Sequence, residues 1–567
     1  SHSFNDVHNF KIMGGFQVED MKQQYFSVRK YGIMFNEFPE FNLTSGMQGN
    51  GTARNSDIEG YSNEWAIAGF FGRLNYDYKG RYLAEVNMRY DGSSRFRRGS
   101  RWIFSPSFSL GWNIAQENFW EPISDKVGLL KLRFSYGQLS NQNTDAWYPT
   151  YRTMTMKPAN GSWIHNNAKP ATAYVEKLIS QTMTWETVSQ WNAGVDFGML
   201  NNRLTGSFDY FIRYTKDMIG PAPSLPSVLG IAAPETNNCE LHTKGWELSL
   251  SWRDRLSNGL GYGITATLSD QNSYIDSYPG NRSNLLQRGI TSGYQNGEYV
   301  GHYIEGQKIG LIWGYETIGI AKSQQEMDSH LASLPNGGQD ALGSKFGAGD
   351  IMYRDLNGDG KIDAGAGTWD DRGDLKVLGD ANPHYFFGVD LTADYKGFDF
   401  RAFFQGVLKH DFWPGGWANN GNEGPGGYFW GVRGNKSEWH MRGLKQHEDY
   451  FREEAIGLDG RIIPANLDAY FPRPIVSNGA KNNQIQSRYM QNARYVRLKN
   501  LQLGYTLPKA LTSKWGISNL RLFVSGENLL TITPLFDIFD PETCGGGVGG
   551  NAYPLSRTWS GGLSLTF

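Results

Sequence analysis

Apolar and polar residues alternate along this chain over runs of about ten positions, repeated many times, the pattern of a β-strand whose two faces meet different surroundings. In "YLAEVNMRYD", Tyr82, Ala84, Val86, Met88 and Tyr90 share one face, while Glu85, Asn87, Arg89 and Asp91 share the other. Leu74, Tyr76 and Tyr78 alternate with Asn75, Asp77 and Lys79 just upstream, and the tight "YKGR" predicts a hairpin between the two runs. The same periodicity predicts strands over Phe104–Ile114, Leu130–Tyr136, Trp191–Phe197, Leu204–Tyr214, Trp246–Trp252, Tyr262–Leu268, Tyr385–Tyr395, Phe398–Gly406, Tyr495–Tyr505, Leu520–Ser525 and the terminal "RTWSGGLSLTF". With a first strand near Phe10–Glu19, the total is about fourteen.

The connections between these runs are lopsided. One set is short: "YKGR", "GMLNNR", "RDRLSNG" and "DYKGF", with somewhat longer pieces at 116–128 and 507–518. The alternate set is long, at 21–64, 139–189, 272–382 and 409–492, with "DGSSRFRRGS" as the short exception. Long segments without regular structure are improbable inside a compact soluble domain, whereas short turns on one side and long loops on the other belong to an outer-membrane barrel. If the last strand ends in the periplasm, every short connection is periplasmic and every long one external. A soluble propeller or sandwich array would show a constant repeat period and an apolar face turned to a core. No constant period is present. One strand face is rich in Tyr, Trp and Phe near strand ends, as aromatic girdles require, and the other carries Arg, Lys, Asp, Glu and Asn, as a wet lumen requires. The expected fold is therefore all-β: a transmembrane antiparallel β-barrel with long extracellular loops. The terminal aromatic, Phe567, suits recognition by outer-membrane assembly machinery.

Composition narrows the function. Among 567 residues the formal charge is only −2, which argues against a nucleic-acid binder. No apolar run reaches the roughly eighteen residues of a spanning helix, and "SHSFNDVHNF" lacks a signal-peptide pattern. Cys239 and Cys544 are too few for a disulfide scaffold and lack metal-ligand spacing. The strand parity puts both outside, so they are expected either to bond to each other or to sit inert in external loops. No Ser/His/Asp order, phosphate-cradling loop or His cluster stands out, and Glu423 is too isolated for a glycosidase pair. An enzyme is not expected.

Several stretches resemble one family, the SusC/RagA-type TonB-dependent transporters of Bacteroidota. They are "GRLNYDYKGRYLAEVNMRYDGSSRF" (72–96), "LHTKGWELSLSW" (241–252), "GDIMYRDLNGDGKID" (349–363), "LGDANPHYFFGVDLTADYKGFDFRAFFQG" (378–406), "ARYVRLKNLQLGYTLP" (493–508) and "GENLLTITPLFDIFDPE" (526–542), in the family's order. The resemblance implies an outer-membrane barrel of about 22 strands with a plugged lumen, driven by TonB and covered by a SusD-type lipoprotein lid that helps capture oligosaccharides or peptides. No plug and no TonB box occur in these residues, and an unpaired strand edge is costly in lipid. The chain is therefore expected to be the C-terminal part of such a transporter, residues 1–567 all belonging to its barrel, with plug and N-terminal strands on a separate polypeptide. A complete passive porin or a surface glycan-binding barrel is the competing reading.

Two stretches are candidate sites. "DLNGDGKID" has calcium-loop spacing: Asp355, Asn357 and Asp359 offer side-chain oxygens at every second position, Gly360 permits the sharp turn, Lys361 offers its carbonyl and Asp363 takes the ninth position. The twelfth position is Ala366, so a closing carboxylate has to come from Asp370, Asp371 or Asp374. Asp371 completes the expected set for a structural calcium ion, which would brace a long external loop with no core to fold around. The alternative is a Gly/Asp/Asn turn with solvated carboxylates. In "FWPGGWANNGNEGPGGYFWG", Trp413, Trp417, Tyr428, Phe429 and Trp430 are too aromatic for a freely solvated loop. Their faces suit sugar rings, the underside of a lid protein, or packing onto the barrel.

Overall fold

Tight turns set the register. Between Tyr395 and Phe398 only Lys396 and Gly397 intervene, both with positive φ (47° and 90°), the mirror-image turn whose twist matches that of the strands it joins. The computed structural model describes the chain apart from residues 1, 5–6, 143, 145, 158–163, 166, 176–177, 221–225, 227, 229, 232, 280–293, 296–297, 300–303, 414–444, 475–480, 483 and 545–552. Fifteen strands are hydrogen-bonded in chain order. They are β1 (His2–Phe4), β2 (His8–Arg29), β3 (Asp57–Tyr78), β4 (Tyr82–Ser93), β5 (Trp102–Asn113), β6 (Val127–Asn141), β7 (Glu186–Met199), β8 (Leu204–Gly220), β9 (Thr236–Arg255), β10 (Gly261–Ser277), β11 (His384–Tyr395), β12 (Phe398–Lys409), β13 (Tyr495–Thr506), β14 (Asn519–Ile532) and β15 (Thr558–Thr566). The fourteen longer ones lie where the alternation predicts them; β1 has too few residues to show a period.

Several strands outrun the predicted limits. β2 and β3 are each 22 residues long and pair continuously from His8↔Tyr78 to Arg29↔Asp57, so the connection expected at 21–64 spans only 30–56. About ten residues suffice to cross a bilayer. Beyond that depth both faces of a strand meet water, and stretches such as "DMKQQ" lose the alternation on which the reading depended.

The chain forms two compact units, one of residues 1–111, 135–191 and 214–240, the other of 112–134, 192–213 and 241–567. In the first, cross-strand register aligns Ile12 with Leu74 and Val86, and Phe16 with Phe70 and Tyr90. This apolar row is open, with Ile12 76% and Phe70 52% exposed. On the opposite face Arg73 donates to Asn87 (2.6 Å) and Arg89 pairs with Asp91 (2.9 Å). The second unit repeats the division. Phe400, Leu503 and Val524 align on one face, while Arg401 pairs with Asp390 and Arg133 bridges Asp196 and Asp209 on polar ladders. An apolar face of this extent is not tolerated in water; lipid accepts it.

The second unit also holds a core built from connections. Trp313, Tyr315, Ile351 and Tyr353, from the segment between β10 and β11, pack with Phe471 and Tyr489 from the segment between β12 and β13. Short ladders frame it: Leu311–Tyr315 pairs with Leu375–Asp380, and Thr317–Ile320 with Ile351–Tyr353. A helix, α1 (Gln324–Ala332), starts at Ser323, whose hydroxyl accepts from the Glu326 N–H (3.2 Å) while Glu326 accepts from the Lys322 N–H (2.7 Å). The expectation of a long loop with no core is corrected here. Its apolar residues lie at irregular spacing on two distant segments, so no periodicity announces them.

Candidate functional site

Two buried charge clusters fix this loop domain. In the first, Asp350 is fully buried and accepts from Arg473 (2.9 and 2.6 Å), Lys481 (2.7 Å), Asn482 (2.9 Å) and the Gly347 N–H (2.8 Å). The Lys481 ammonium, 1% exposed, also donates to the carbonyls of Ser344 and Lys345 (3.2 and 2.6 Å). Burial pushes that ammonium down, against the pull of Asp350. The residues come from both long connections, so the cluster ties one to the other.

The second cluster joins the loop domain to the strands. His384, at the start of β11, contacts Asp270 of β10 (2.6 Å) and Asp380 (2.9 Å), and Lys308 lies 2.5 Å from Asp380. Burial pushes the Asp380 carboxyl up, but Lys308, His384 and the Asn382 N–H outweigh it and hold it below the usual range. An acid depressed in the folded state contributes stability above its unfolded value, and that contribution is lost as pH falls through the folded value. Acidification below about pH 4 should therefore loosen this seam. Hydrogen-exchange protection at 308–315 and 375–384, taken relative to the intrinsic rate at each pH, should fall between pH 6 and pH 3 in the native chain. Asp380→Asn should exchange faster already at pH 6 and respond less to acid; an unchanged acid response would refute the assignment.

The structure places the calcium-loop residues in one turn. Asp355 accepts from the N–H groups of Gly358 (2.6 Å) and Gly360 (2.9 Å), Asn357 from Asp359 (3.0 Å), Asp359 from Lys361 (3.1 Å) and Asp363 from Gly365 (2.7 Å). Gly360 has φ +80°, and a Cβ there would lie 3.0–3.1 Å from Asn336 and Pro335, so only glycine fits. The Lys361 ammonium sits 2.5 Å from Asp363 and 3.8 Å from Asp359, a positive charge among the carboxylates. Asp371 accepts from the Ala366 N–H (3.0 Å). Asp374, fully buried, receives the N–H groups of Leu356 (2.7 Å) and Asp363 (2.9 Å), and burial raises its carboxyl above the usual range. Among the described residues no three acidic, His or Cys side chains converge at metal-ligating spacing.

Trp413 is half-buried and packs against the loop core. Trp417, Glu423, Tyr428, Phe429 and Trp430 lie outside the described residues. Cys239 and Cys544 are both buried and are not bonded to each other, so the disulfide alternative is not realised. Cys239 stands inside β9, not in a loop, because that strand continues beyond its predicted start at Trp246. Cys544 packs with Phe412, Ala493 and Leu535. The charge clusters were not read from the sequence, since their members are far apart along the chain. The helix was readable: "SQQE" at 323–326 is a capping box. In the first unit, a cavity of about 200 Å³ lies among Thr144, Met183, Glu186, Met218, Ile219 and Glu235.

The model of the family described as TonB dependent receptor-like, beta-barrel matches residues 3–529. The chain belongs to that family. TonB-dependent receptor P3 of Formosa agariphila is 28% identical over 99% of this chain and 51% of its own length. TonB-dependent receptor SusC of Bacteroides thetaiotaomicron is 27% identical over 89% of the chain and 44% of its own length. The chain thus spans about half the length of the curated relatives it matches. Among solved structures, the RagAB peptide transporter superposes with a TM-score of 0.72 at 20% identity, over 100% of this chain and 54% of that one, a likeness of fold. TonB-dependent receptor barrels reside in the outer membrane and are receptors and transporters, not enzymes. The open apolar rows of this barrel therefore face lipid and the polar ladders face inward. No described helix is long and apolar enough to cross a membrane; this family crosses with strands.

Proposed function

We propose that the chain forms the C-terminal barrel portion of a TonB-dependent importer of oligosaccharides or peptides, working with a SusD-type lipoprotein lid, while plug and TonB contact belong to the rest of the transporter. The observation that carries this reading is the loop domain: two long connections share a core, giving the external end an ordered surface where a passive pore needs only loops. The relatives named SusC and RagAB peptide transporter agree with it. The test is accumulation of labelled oligosaccharides and peptides by cells carrying the complete transporter, with and without TonB, alongside copurification of a lipidated partner. Absence of TonB-dependent uptake for both solute classes would overturn import; absence of a lipoprotein would overturn the lid.

We also infer that the 355–371 turn takes a calcium-like ion, held by Asp355, Asn357, Asp359, the Lys361 carbonyl, Asp363 and Asp371. The donor set is all oxygen, which suits a hard cation, and the Lys361 side chain marks where positive charge is wanted. Binding displaces that ammonium into solvent, so affinity belongs near the millimolar end of about 10⁻⁴–10⁻³ M found for extracellular modules. Calcium should raise the thermal midpoint of chelator-treated protein, and Asp355→Asn with Asp359→Asn should abolish the rise. A calcium titration without heat or midpoint shift would reduce the motif to a turn.

A further inference from the structure

The connection between β4 and β5 holds four arginines within seven residues, Arg95, Arg97, Arg98 and Arg101, in a chain whose overall charge is slightly negative. None of them forms an ion pair with a described carboxylate. Arg97 donates to the Thr150 carbonyl (2.9 Å) and Arg101 to the Phe96 carbonyl (3.3 Å), and Arg98 is exposed. Arg95 packs over two aromatic neighbours: its guanidinium lies 5.3 Å from the centre of the Trp65 ring and 5.7 Å from that of the Trp147 ring. One of its terminal nitrogens donates to the Thr144 hydroxyl (3.1 Å), and its Nε is buried without a hydrogen-bond partner. Asp145 lies outside the described residues; paired with one of the four, it would still leave three positive charges in excess.

Uncompensated guanidinium groups a few residues apart repel one another, and the buried Arg95 Nε has no acceptor, so the turn carries a cost that an anion relieves. A guanidinium packed over two aromatic rings and bonded to Thr144 has lost rotamer freedom in advance and presents its fork ready-made for an oxyanion. The direction of approach follows from the register. Ile67 pairs with Ser93, which places Trp65, Ile67 and Ser93 on the face of the polar ladder, opposite the apolar row of Phe70, Met88 and Tyr90. Arg95 therefore stands on the lumen side, at the end of the strands where the long connections lie, away from lipid.

We propose that Arg95, Arg97, Arg98 and Arg101 form a recognition site for an oxyanion, sulfate or carboxylate, carried by the imported solute. The solute part rests on the importer reading above; the oxyanion part does not. The probe is a sulfated hexasaccharide, with its desulfated counterpart as control, titrated into the complete purified transporter and followed by calorimetry. The sulfated form should bind more tightly than the desulfated form, and its affinity should fall with salt. Arg98→Glu, at the exposed position, should weaken it by about tenfold, and R97Q/R98Q/R101Q by more. Arg255→Gln, which disturbs an exposed pair with Asp394 next to the turn linking β9 and β10, should leave it unchanged. Equal binding of the two hexasaccharides, or equal affinity in R98E, overturns the site. If the variants instead lose copurifying lipopolysaccharide phosphate with hexasaccharide affinity intact, the arginines serve a lipid headgroup and the solute site is likewise overturned. Binding that behaves as expected without TonB-dependent uptake removes the importer reading alone.

Discussion

Asp350→Ala is expected to unfold the loop domain while leaving the strands paired. The substitution strands the Lys481 ammonium, 1% exposed, with carbonyls but no counter-charge, and it removes the acceptor shared by Arg473, Asn482 and Gly347. Breaking a buried pair from one side costs about 3–5 kcal/mol, enough to undo a subdomain of this size and not enough to undo the barrel. Limited proteolysis should cut within 304–383 and 445–494 in the variant, and hydrogen exchange should rise there but not in β11 through β14. Adding Lys481→Met to Asp350→Ala should restore part of the loss, because the uncompensated charge is gone. Protection equal to that of the native chain in the single variant would show that the aromatic core alone holds the two connections together.

The second large effect concerns the two faces of the sheet. Val524, 57% exposed in β14, aligns with Leu503 on one side and Gly561 on the other, within the apolar row. An arginine there has to enter hydrocarbon, at about 2–4 kcal/mol near the bilayer midplane. Ser525, the next residue, points to the polar face beside Gln502 and Ser560. Val524→Arg should therefore reduce the fraction of correctly assembled, heat-modifiable barrel in outer membranes, whereas Ser525→Arg should assemble normally. Equal assembly of the two variants would mean that the faces have been assigned the wrong way round or that this strand end lies outside the bilayer.

The strands were legible because a membrane imposes a two-residue period and imposes it continuously: Tyr82 to Tyr90 reads correctly from five side chains. Legibility fades where the membrane ends. The outer halves of β2 and β3 continue as paired strands with water on both sides, and nothing in their sequence distinguishes them from a polar loop; the first residues of β9 also continue the strand, but there Cys239 is covered by neighbours that no local period announces. The turn at 355–363 was legible for another reason, since each Asx residue bonds to a backbone N–H two to five positions on and the pattern is local. The Asp350–Lys481 and Asp270–His384 contacts span 131 and 114 residues. Contacts of that reach are set by the fold, and a single sequence offers no clue to which distant partner each charge will find.

The shared core of the two longest connections limits how such a chain can be recombined. Tyr315 and Tyr353 come from one connection and Phe471 and Tyr489 from the other, yet each packs as if they belonged to one sequence, and the Tyr315↔Gln486 bridge stitches their backbones. A chimera that takes 278–383 from one relative and keeps 410–494 from another joins two half-cores that were never fitted to each other. Exchanged as a pair, with junctions at Ser277, His384, Lys409 and Tyr495, the same segments carry their interior with them. The two connections thus form one unit of exchange, and crossover points that separate the halves should be the ones that do not survive.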